Sequence, residues 1–122
     1  MTKIFRTYRF EAAHHLPKVP ASHKCHRVHG HNYRVDVSVA GSLDERGFVL
    51  DFFELDAIVA PLVAALDHRL INDVEGLENP TAEIIAKWFW DHVCGGLNGL
   101  RRRLDVAVRV YETEDCSAEF TA

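Results

Sequence analysis

Histidine is the outlying residue type in this 122-residue chain, because six of its eight histidines fall between positions 14 and 31. The densest group is His29-Gly30-His31, at the predicted start of a strand. Side chains two residues apart in a strand point to the same face, so both imidazoles share one face. Two neutral imidazoles so placed suit a divalent metal ion, although the motif alone also suits two surface histidines.

A third histidine extends this pair to a candidate metal site. His14 ends the first predicted strand in phase with its apolar residues, whereas His15 points the other way. If the first two strands pair as antiparallel, the end of one lies beside the start of the next, near His29 and His31. Three histidines without an evident fourth ligand are typical of a catalytic zinc with an open coordination position. His15 is the competing third ligand, and strand phase favours His14.

Cys25 lies in the intervening loop, four residues before His29. Beside Lys24 and a nearby metal ion, its thiol suits a general base or a nucleophile. An inert loop thiol and a fourth zinc ligand are the alternatives. Cys94 and Cys116 lack such surroundings and are predicted to be packing residues.

Asp67-His68 and Glu112 are further candidates for proton transfer and ligand binding. A carboxylate that orients a histidine fixes its tautomer, although a helix C-terminus with a favourable histidine explains the dipeptide equally well. Glu112 continues the even-numbered parity of the third strand, which directs its carboxylate toward the apolar face. A ligand with two adjacent N–H donors, such as the amino-pyrimidinone edge of a pterin or guanine, would pair with it. A solvated Glu112 beyond the strand end is the alternative.

The elements that must position these residues follow from the apolar pattern. Alternation predicts strands over residues 3–13, 31–40 and 106–110, with a short fourth strand over 116–121. Residues 15–28 are predicted to be an irregular loop, and 41–47 a turn. Helical spacing predicts one helix over 51–66, capped by Asp51, with a kink or boundary at Pro61. A second helix begins at Thr81 and ends at Gly95-Gly96.

This order predicts a single α+β domain over residues 1–122, with a four-stranded antiparallel sheet and two helices on one face (ββααββ). Its two unpaired sheet edges favour oligomerisation.

Composition excludes several classes of protein. A net charge of -4 argues against a nucleic-acid partner, and the run Arg101-Arg102-Arg103 is interpreted as a solvated turn rather than a phosphate-binding patch. No stretch is long and apolar enough to span a membrane, and the first residues, which lack an apolar run, are not expected to act as a signal peptide. Three cysteines without a CxxC motif suit a reducing cytoplasm.

Taken together, these motifs resemble the 6-pyruvoyl-tetrahydropterin synthase family, and within it the bacterial branch that forms 6-carboxytetrahydropterin. The resemblance covers nearly the whole chain in the family's order. It rests on Phe10-Glu11-Ala12-Ala13-His14, Cys25-His26-Arg27-Val28-His29-Gly30-His31, Leu66-Asp67-His68, Leu77-Glu78-Asn79-Pro80-Thr81-Ala82-Glu83 and Tyr111-Glu112-Thr113.

The resemblance implies a tunnelling fold, whose subunits join into barrels, commonly hexamers. It implies that Zn²⁺ is bound by His14, His29 and His31. It also implies that Cys25 accepts a proton and that Asp67 and His68 form a relay that assists this proton transfer. Glu112 would anchor the pterin ring and Thr81 would line its pocket. The implied reaction converts 7,8-dihydroneopterin triphosphate to 6-carboxy-5,6,7,8-tetrahydropterin, acetaldehyde and triphosphate, early in queuosine and 7-deazapurine biosynthesis.

Three residues between Cys25 and the His29-Gly30-His31 motif resemble the carboxy-forming branch, whereas His26 departs from the family pattern, which has a small residue there. Lys24 and Arg27 are candidates for binding the triphosphate, although each is equally explained as a solvated charge. The alternatives are 6-pyruvoyl-tetrahydropterin synthesis on the same scaffold and a non-catalytic zinc-binding module.

Overall fold

The computed structural model describes residues 1–122, and at its centre four strands form one antiparallel sheet. The strands are β1 (Thr2–His14), β2 (His29–Gly41), β3 (Asp105–Thr113) and β4 (Cys116–Thr121), which lie side by side in chain order. All four predicted strands are present. The first three extend one to three residues beyond the predicted ends, and the fourth has the predicted bounds.

Two helices, α1 (Phe52–Leu66) and α2 (Ala82–Leu97), pack against one face of this sheet. Both predicted N-caps are present. The Asp51 carboxylate accepts a hydrogen bond from the Phe53 N–H at 2.8 Å, and the Thr81 hydroxyl accepts one from the Ile84 N–H at 3.1 Å. Short 3-10 turns occupy Lys24–His26 and Ile71–Asp73. The predicted ββααββ order is therefore confirmed. Neither helix has the length and apolar character that crossing a membrane requires.

The hydrophobic core lies between the sheet and the helices, because alternate strand residues and one stripe of each helix face each other. Its fully buried members include Val35, Val37, Val39, Val108, Val110, Leu55, Val59, Ile85, Phe89 and Val93. Burial of one such side chain contributes about 1.5–3 kcal/mol. The Trp90 indole N–H also donates to the Val106 carbonyl at 2.9 Å, which fixes α2 on β3.

The predicted end of the second helix is wrong, and of the kink or boundary expected at Pro61 the boundary is absent. The helix α2 does not end at Gly95-Gly96 but continues to Leu97. A Cβ at position 96 would lie 2.8 Å from Cγ2 of Ile58 in α1, so this glycine permits close approach of the two helices and is not a C-cap. The helix α1 likewise continues through Pro61 to Leu66. Pro61 lies on the exposed side, where water can solvate the carbonyl that its missing N–H leaves free.

The segment that follows α1 covers part of the outer edge of β1. The His68 N–H donates to the Glu11 carbonyl at 2.6 Å, and the Ala13 N–H donates to the Arg69 carbonyl at 3.0 Å. Ala13 and Leu70 form an isolated parallel bridge. This segment therefore fixes residues 67–70 in register with the end of β1, where the candidate site begins.

Candidate metal centre and active site

Three histidines meet where β1 ends and β2 begins. The antiparallel register places His14 directly opposite His29, and Ala12 opposite His31. One ring nitrogen of each of the three histidines lies within 4.8 Å of the others. The three ring centroids are 4.6, 4.9 and 5.1 Å apart in pairs. We call His14, His29 and His31 the histidine cluster.

Backbone carbonyls orient two rings of the histidine cluster. The His14 Nδ1–H donates to the Pro80 carbonyl at 2.8 Å, and the His29 Nδ1–H donates to the Arg27 carbonyl at 2.7 Å. These bonds place the proton on Nδ1 and leave the Nε2 lone pair free to bind a metal ion.

The inner nitrogens of the cluster have the environment of metal ligands. All three Nε2 atoms are buried and none makes a hydrogen bond of regular geometry, although the Glu112 carboxylate lies 3.0 Å from His31 Nε2. Burial lowers the pKa of both His14 and His31, which favours the neutral imidazole that binds a metal ion. Three buried imidazole nitrogens that lie within 4.8 Å of one another fit a divalent ion, so the cluster can hold a metal.

Glu112 brings a carboxylate to the cluster from the end of β3. Its Oε2 lies 3.0 Å from His31 Nε2 and 4.0 Å from His14 Nε2. The side chain is 25% exposed, so it is neither fully solvated nor fully buried and remains accessible to a ligand. The expected parity therefore directs Glu112 to the same face as the histidines. The sequence did not indicate that it approaches the cluster this closely.

Tyr33 is a member of the site that the sequence analysis did not single out. Its buried hydroxyl has no hydrogen-bond partner, and its ring lies 5.5 Å from the His31 ring and 5.9 Å from the His14 ring. Burial raises the pKa of Tyr33, with a further contribution from Glu112, so its hydroxyl remains protonated and able to donate. Its parity with His29 and His31 along β2 was the signal available in the sequence.

Cys25 lies in the 3-10 turn of the loop between β1 and β2. Its carbonyl accepts a hydrogen bond from the Leu16 N–H at 2.8 Å, and its own N–H donates to His23 Nδ1 at 3.0 Å. The first bond holds the turn beside the chain just after His14. Cys25 is half-buried and free of disulfide bonding. The loop therefore holds this thiol near the end of the strand that carries His14.

Asp67 and His68 form a side-chain pair where α1 ends. Asp67 Oδ1 lies 2.9 Å from His68 Nδ1 and also accepts the Glu11 N–H at 3.1 Å. The Glu11 N–H is the main cause of the lowered pKa of Asp67, and His68 contributes to it. His68 has a φ of 57°, a left-handed conformation that is unusual for a residue other than glycine. This conformation lets the adjacent side chains touch, and it leaves His68 Nε2 free for proton transfer.

Within one chain, the ring of His68 does not join the histidine cluster, although His31 and His68 both border one open groove. His68 is 73% exposed, and its Nε2 lies 3.7 Å from Oε2 of Glu11. The side chain of Glu11 alternates to the sheet face opposite that of Ala12 and His14. The two groups of candidate catalytic residues therefore lie on opposite faces of the sheet.

The other candidate residues have varied surroundings. Thr81 serves as the N-cap of α2, whereas Lys24 and Arg27 are exposed and form no ion pair. Cys94 is half-buried against the core as predicted, but Cys116 is exposed on the edge strand β4, so its predicted packing role is wrong. His15 is outside the cluster, and its backbone is bonded to the Asn72 side chain.

Residues 101–103 are predicted to be a solvated turn, and this description fits Arg101 and Arg103 but not Arg102. Arg102 donates to the carbonyls of Val49 and Ser42, which fixes the turn to the chain that precedes α1. Arg101 and Arg103 are exposed, and Arg103 lies 3.8 Å from Asp105. The run therefore has a structural role, and Arg102 is not available to a phosphate.

Comparison with known proteins agrees with this geometry. The family described as 6-pyruvoyl tetrahydropterin synthase matches residues 3–122. A putative 6-carboxy-5,6,7,8-tetrahydropterin synthase of Archaeoglobus fulgidus is 45% identical over 111 residues, which cover 90% of this chain and 87% of the relative. The 6-carboxy-5,6,7,8-tetrahydropterin synthase of Synechocystis is 40% identical over 124 residues, which cover 96% and 91%. The solved structure of Caenorhabditis elegans 6-pyruvoyl tetrahydropterin synthase superposes with a TM-score of 0.85 at 25% identity, covering 99% of this chain and 95% of that one.

Proposed function

The chain belongs to the 6-pyruvoyl tetrahydropterin synthase family, and from this premise we propose that it is a zinc-dependent carbon–carbon lyase. The substrates are 7,8-dihydroneopterin triphosphate and one molecule of water, and the products are 6-carboxy-5,6,7,8-tetrahydropterin, acetaldehyde and triphosphate. The reaction belongs to the route to queuosine and other 7-deazapurines. The names of the relatives at 40–45% identity support this branch over 6-pyruvoyl-tetrahydropterin synthesis.

One observation carries the proposal: the three buried Nε2 atoms of the histidine cluster converge beside the partly exposed carboxylate of Glu112. His14, His29 and His31 would hold the ion, and an all-nitrogen set of three ligands is typical of catalytic zinc. Bound zinc supplies Lewis-acid polarisation of the side-chain oxygens of a substrate. Glu112 is placed to recognise a neighbouring heterocycle, since its oxygens accept two adjacent N–H groups of a pterin.

The proton transfers are assigned to Cys25 and to the Asp67-His68 pair. Cys25 removes a proton from the substrate side chain as a thiolate. Asp67 holds the proton of His68 on Nδ1, so that Nε2 can accept a proton and later return it. Thr81 at the start of α2 is proposed to line the pterin pocket, and Lys24 and Arg27 are candidates for contact with the triphosphate.

We propose that more than one copy of the chain completes the site. His68 Nε2 lies beside the Glu11 carboxylate, on the sheet face opposite His14, so a second copy would bring a proton-transfer pair to the face that carries the histidine cluster. The edge strand β4 is paired on one side only, which leaves a sheet edge for association. We therefore assign the chain to a homo-oligomeric barrel, with a hexamer as the favoured form.

The deciding experiment is a product assay on metal-analysed protein supplied with 7,8-dihydroneopterin triphosphate. Formation of acetaldehyde and a 6-carboxypterin species, lost on chelation and restored by zinc, is expected. A 6-pyruvoyl product without acetaldehyde would place the chain in the other branch. Zinc binding without any turnover would instead support a non-catalytic zinc-binding module.

A further inference from the structure

Three arginines share the sheet face that points away from the helices. Arg9 on β1 lies directly opposite Arg34 on β2, and Arg109 occupies the neighbouring row on β3. Like charges directly opposite each other in a sheet destabilise it unless other groups compensate. The groups that contact each guanidinium therefore indicate which of the three arginines is free to bind a ligand.

Arg34 and Arg109 are both compensated. Arg34 makes a two-pronged contact with the Asp36 carboxylate, at 2.9 and 2.7 Å. The Tyr111 ring lies near both guanidiniums, 4.6 Å from that of Arg34 and 5.0 Å from that of Arg109. Arg109 also donates to the Ser117 hydroxyl at 3.0 Å. Both side chains are held within the sheet face by these contacts.

Arg9 differs, because it is exposed and its guanidinium makes no hydrogen bond, although its charge is one of the smaller causes of the lowered pKa of Asp36. The nearest acid of the neighbouring row, Asp36, already accepts hydrogen bonds from Arg34 and from the Thr7 hydroxyl at 2.7 Å. The donors of the Arg9 guanidinium therefore remain unused. A guanidinium with free donors matches two phosphate oxygens at once.

Arg9 shares a groove with the candidate proton-transfer pair. Arg9, Asn32, Asp67 and His68 all border this open groove of about 490 Å³. Glu11 also borders the groove, and its Oε2 lies 3.7 Å from His68 Nε2. The two carboxylates of the groove, those of Glu11 and Asp67, therefore both lie beside His68. Neither Lys24 nor Arg27 borders this groove.

We propose that Arg9, which borders the same groove as His68, binds the triphosphate of the substrate. This inference rests on the proposed function, because the triphosphate lies on the side chain whose protons His68 would move. A cation that holds the triphosphate beside His68 binds the substrate and orients that side chain. Arg9 is then a specificity residue for the phosphorylated substrate and takes no part in proton transfer.

The test compares Arg9→Gln with Lys3→Gln, a matched loss of charge on the same face of β1 at its far end. Loss of a charged hydrogen-bonded contact corresponds to about a tenfold to a hundredfold change in binding. We expect Arg9→Gln to raise KM for 7,8-dihydroneopterin triphosphate by that factor with kcat largely kept. Arg9→Lys should recover part of the loss, and Lys3→Gln should match the parent.

Calorimetric binding of inorganic tripolyphosphate separates this inference from the proposed function. We expect the parent to bind tripolyphosphate and Arg9→Gln to bind it at least about tenfold more weakly. That result supports the phosphate site even if no pterin turns over. Equal binding and equal KM in the parent and Arg9→Gln would overturn it, most plainly if Lys24→Gln or Arg27→Gln lost binding instead. Absence of tripolyphosphate binding to the parent would overturn it too.

Discussion

Glu112 Oε2 lies 3.0 Å from His31 Nε2, although the two residues come from different strands and from opposite ends of the chain. The position of this carboxylate suggests two effects. It lowers the net charge of a metal-loaded cluster, and it offers acceptors to a ligand bound beside the metal. These effects can be separated by replacing the carboxylate with an amide of the same shape.

For Glu112→Gln we expect zinc at full stoichiometry and a loss of turnover of at least about a hundredfold. The amide keeps the packing but loses the charge and one of the two acceptors that a pterin edge requires. Acetaldehyde release and zinc analysis on the same sample measure both effects. Glu114→Gln, in the exposed turn before β4, is the matched control. Unchanged turnover in Glu112→Gln would remove it from substrate recognition.

The stability of the metal-free protein should fall on acidification. Burial lowers the pKa of His14 and His31 below the ordinary value of 6.5, so the unfolded chain binds more protons than the folded one. This stability is fully present above about pH 6.5 and is lost as the pH falls toward the lowered values.

Denaturant unfolding of chelator-treated protein at pH 7.5 and pH 5.5 measures this dependence. His14→Gln should reduce the difference between the two pH values, whereas His15→Gln should leave it as in the parent. A stability independent of pH over this range in the parent would contradict the prediction. Zinc should add stability at the higher pH, since binding to the folded state alone shifts the equilibrium.

Replacement of Cys25 by alanine should abolish turnover and leave zinc bound. The thiol belongs to a loop turn and is not part of the histidine cluster. Loss of a positioned proton acceptor lowers the rate by about 10²–10⁴. Cys116→Ala, at the exposed start of β4, is the control and should retain activity. Full activity in Cys25→Ala would exclude the thiol from the reaction, and loss of zinc would make it a ligand.

Alanine substitutions at the two glycines near the end of α2 should change the free energy of unfolding in opposite directions. Gly96→Ala places a methyl group 2.8 Å from Ile58 and should lower the free energy of unfolding by about 1–3 kcal/mol. A methyl group at position 95 would have no neighbour within 4 Å, so Gly95→Ala should raise it by about 0.5–1 kcal/mol. Denaturant titration of both variants provides the comparison. Equal effects would show that helix propensity alone decides both positions.

The sheet and the histidine cluster were predictable because both follow from alternation along strands. The parity that aligns His14 with Phe10 and Ala12 also assigns it to the buried face. Antiparallel pairing of β1 with β2 then places it beside His29 and His31. Local sequence therefore contained the information needed for this part of the site.

The remaining features depend on contacts between distant segments. The role of Gly96 follows from the position of Ile58 on another helix, which no local pattern reveals. The separation of His68 from the cluster follows from its bonds to Glu11 at the sheet edge. Arg9 became notable only when the structure left it without a hydrogen-bond partner. Each of these required the tertiary arrangement.

The spacing between Glu11 and His14 on β1 restricts how the length of this chain can vary. Glu11 holds the Asp67-His68 pair at the edge, and His14, three residues later, faces the core. Deletion or insertion of one residue between them would preserve the backbone ladder yet turn His14 toward the opposite face. Substitutions in this stretch can be tolerated, but a change of length cannot. Single-residue gaps should therefore be absent here in functional descendants of this sequence.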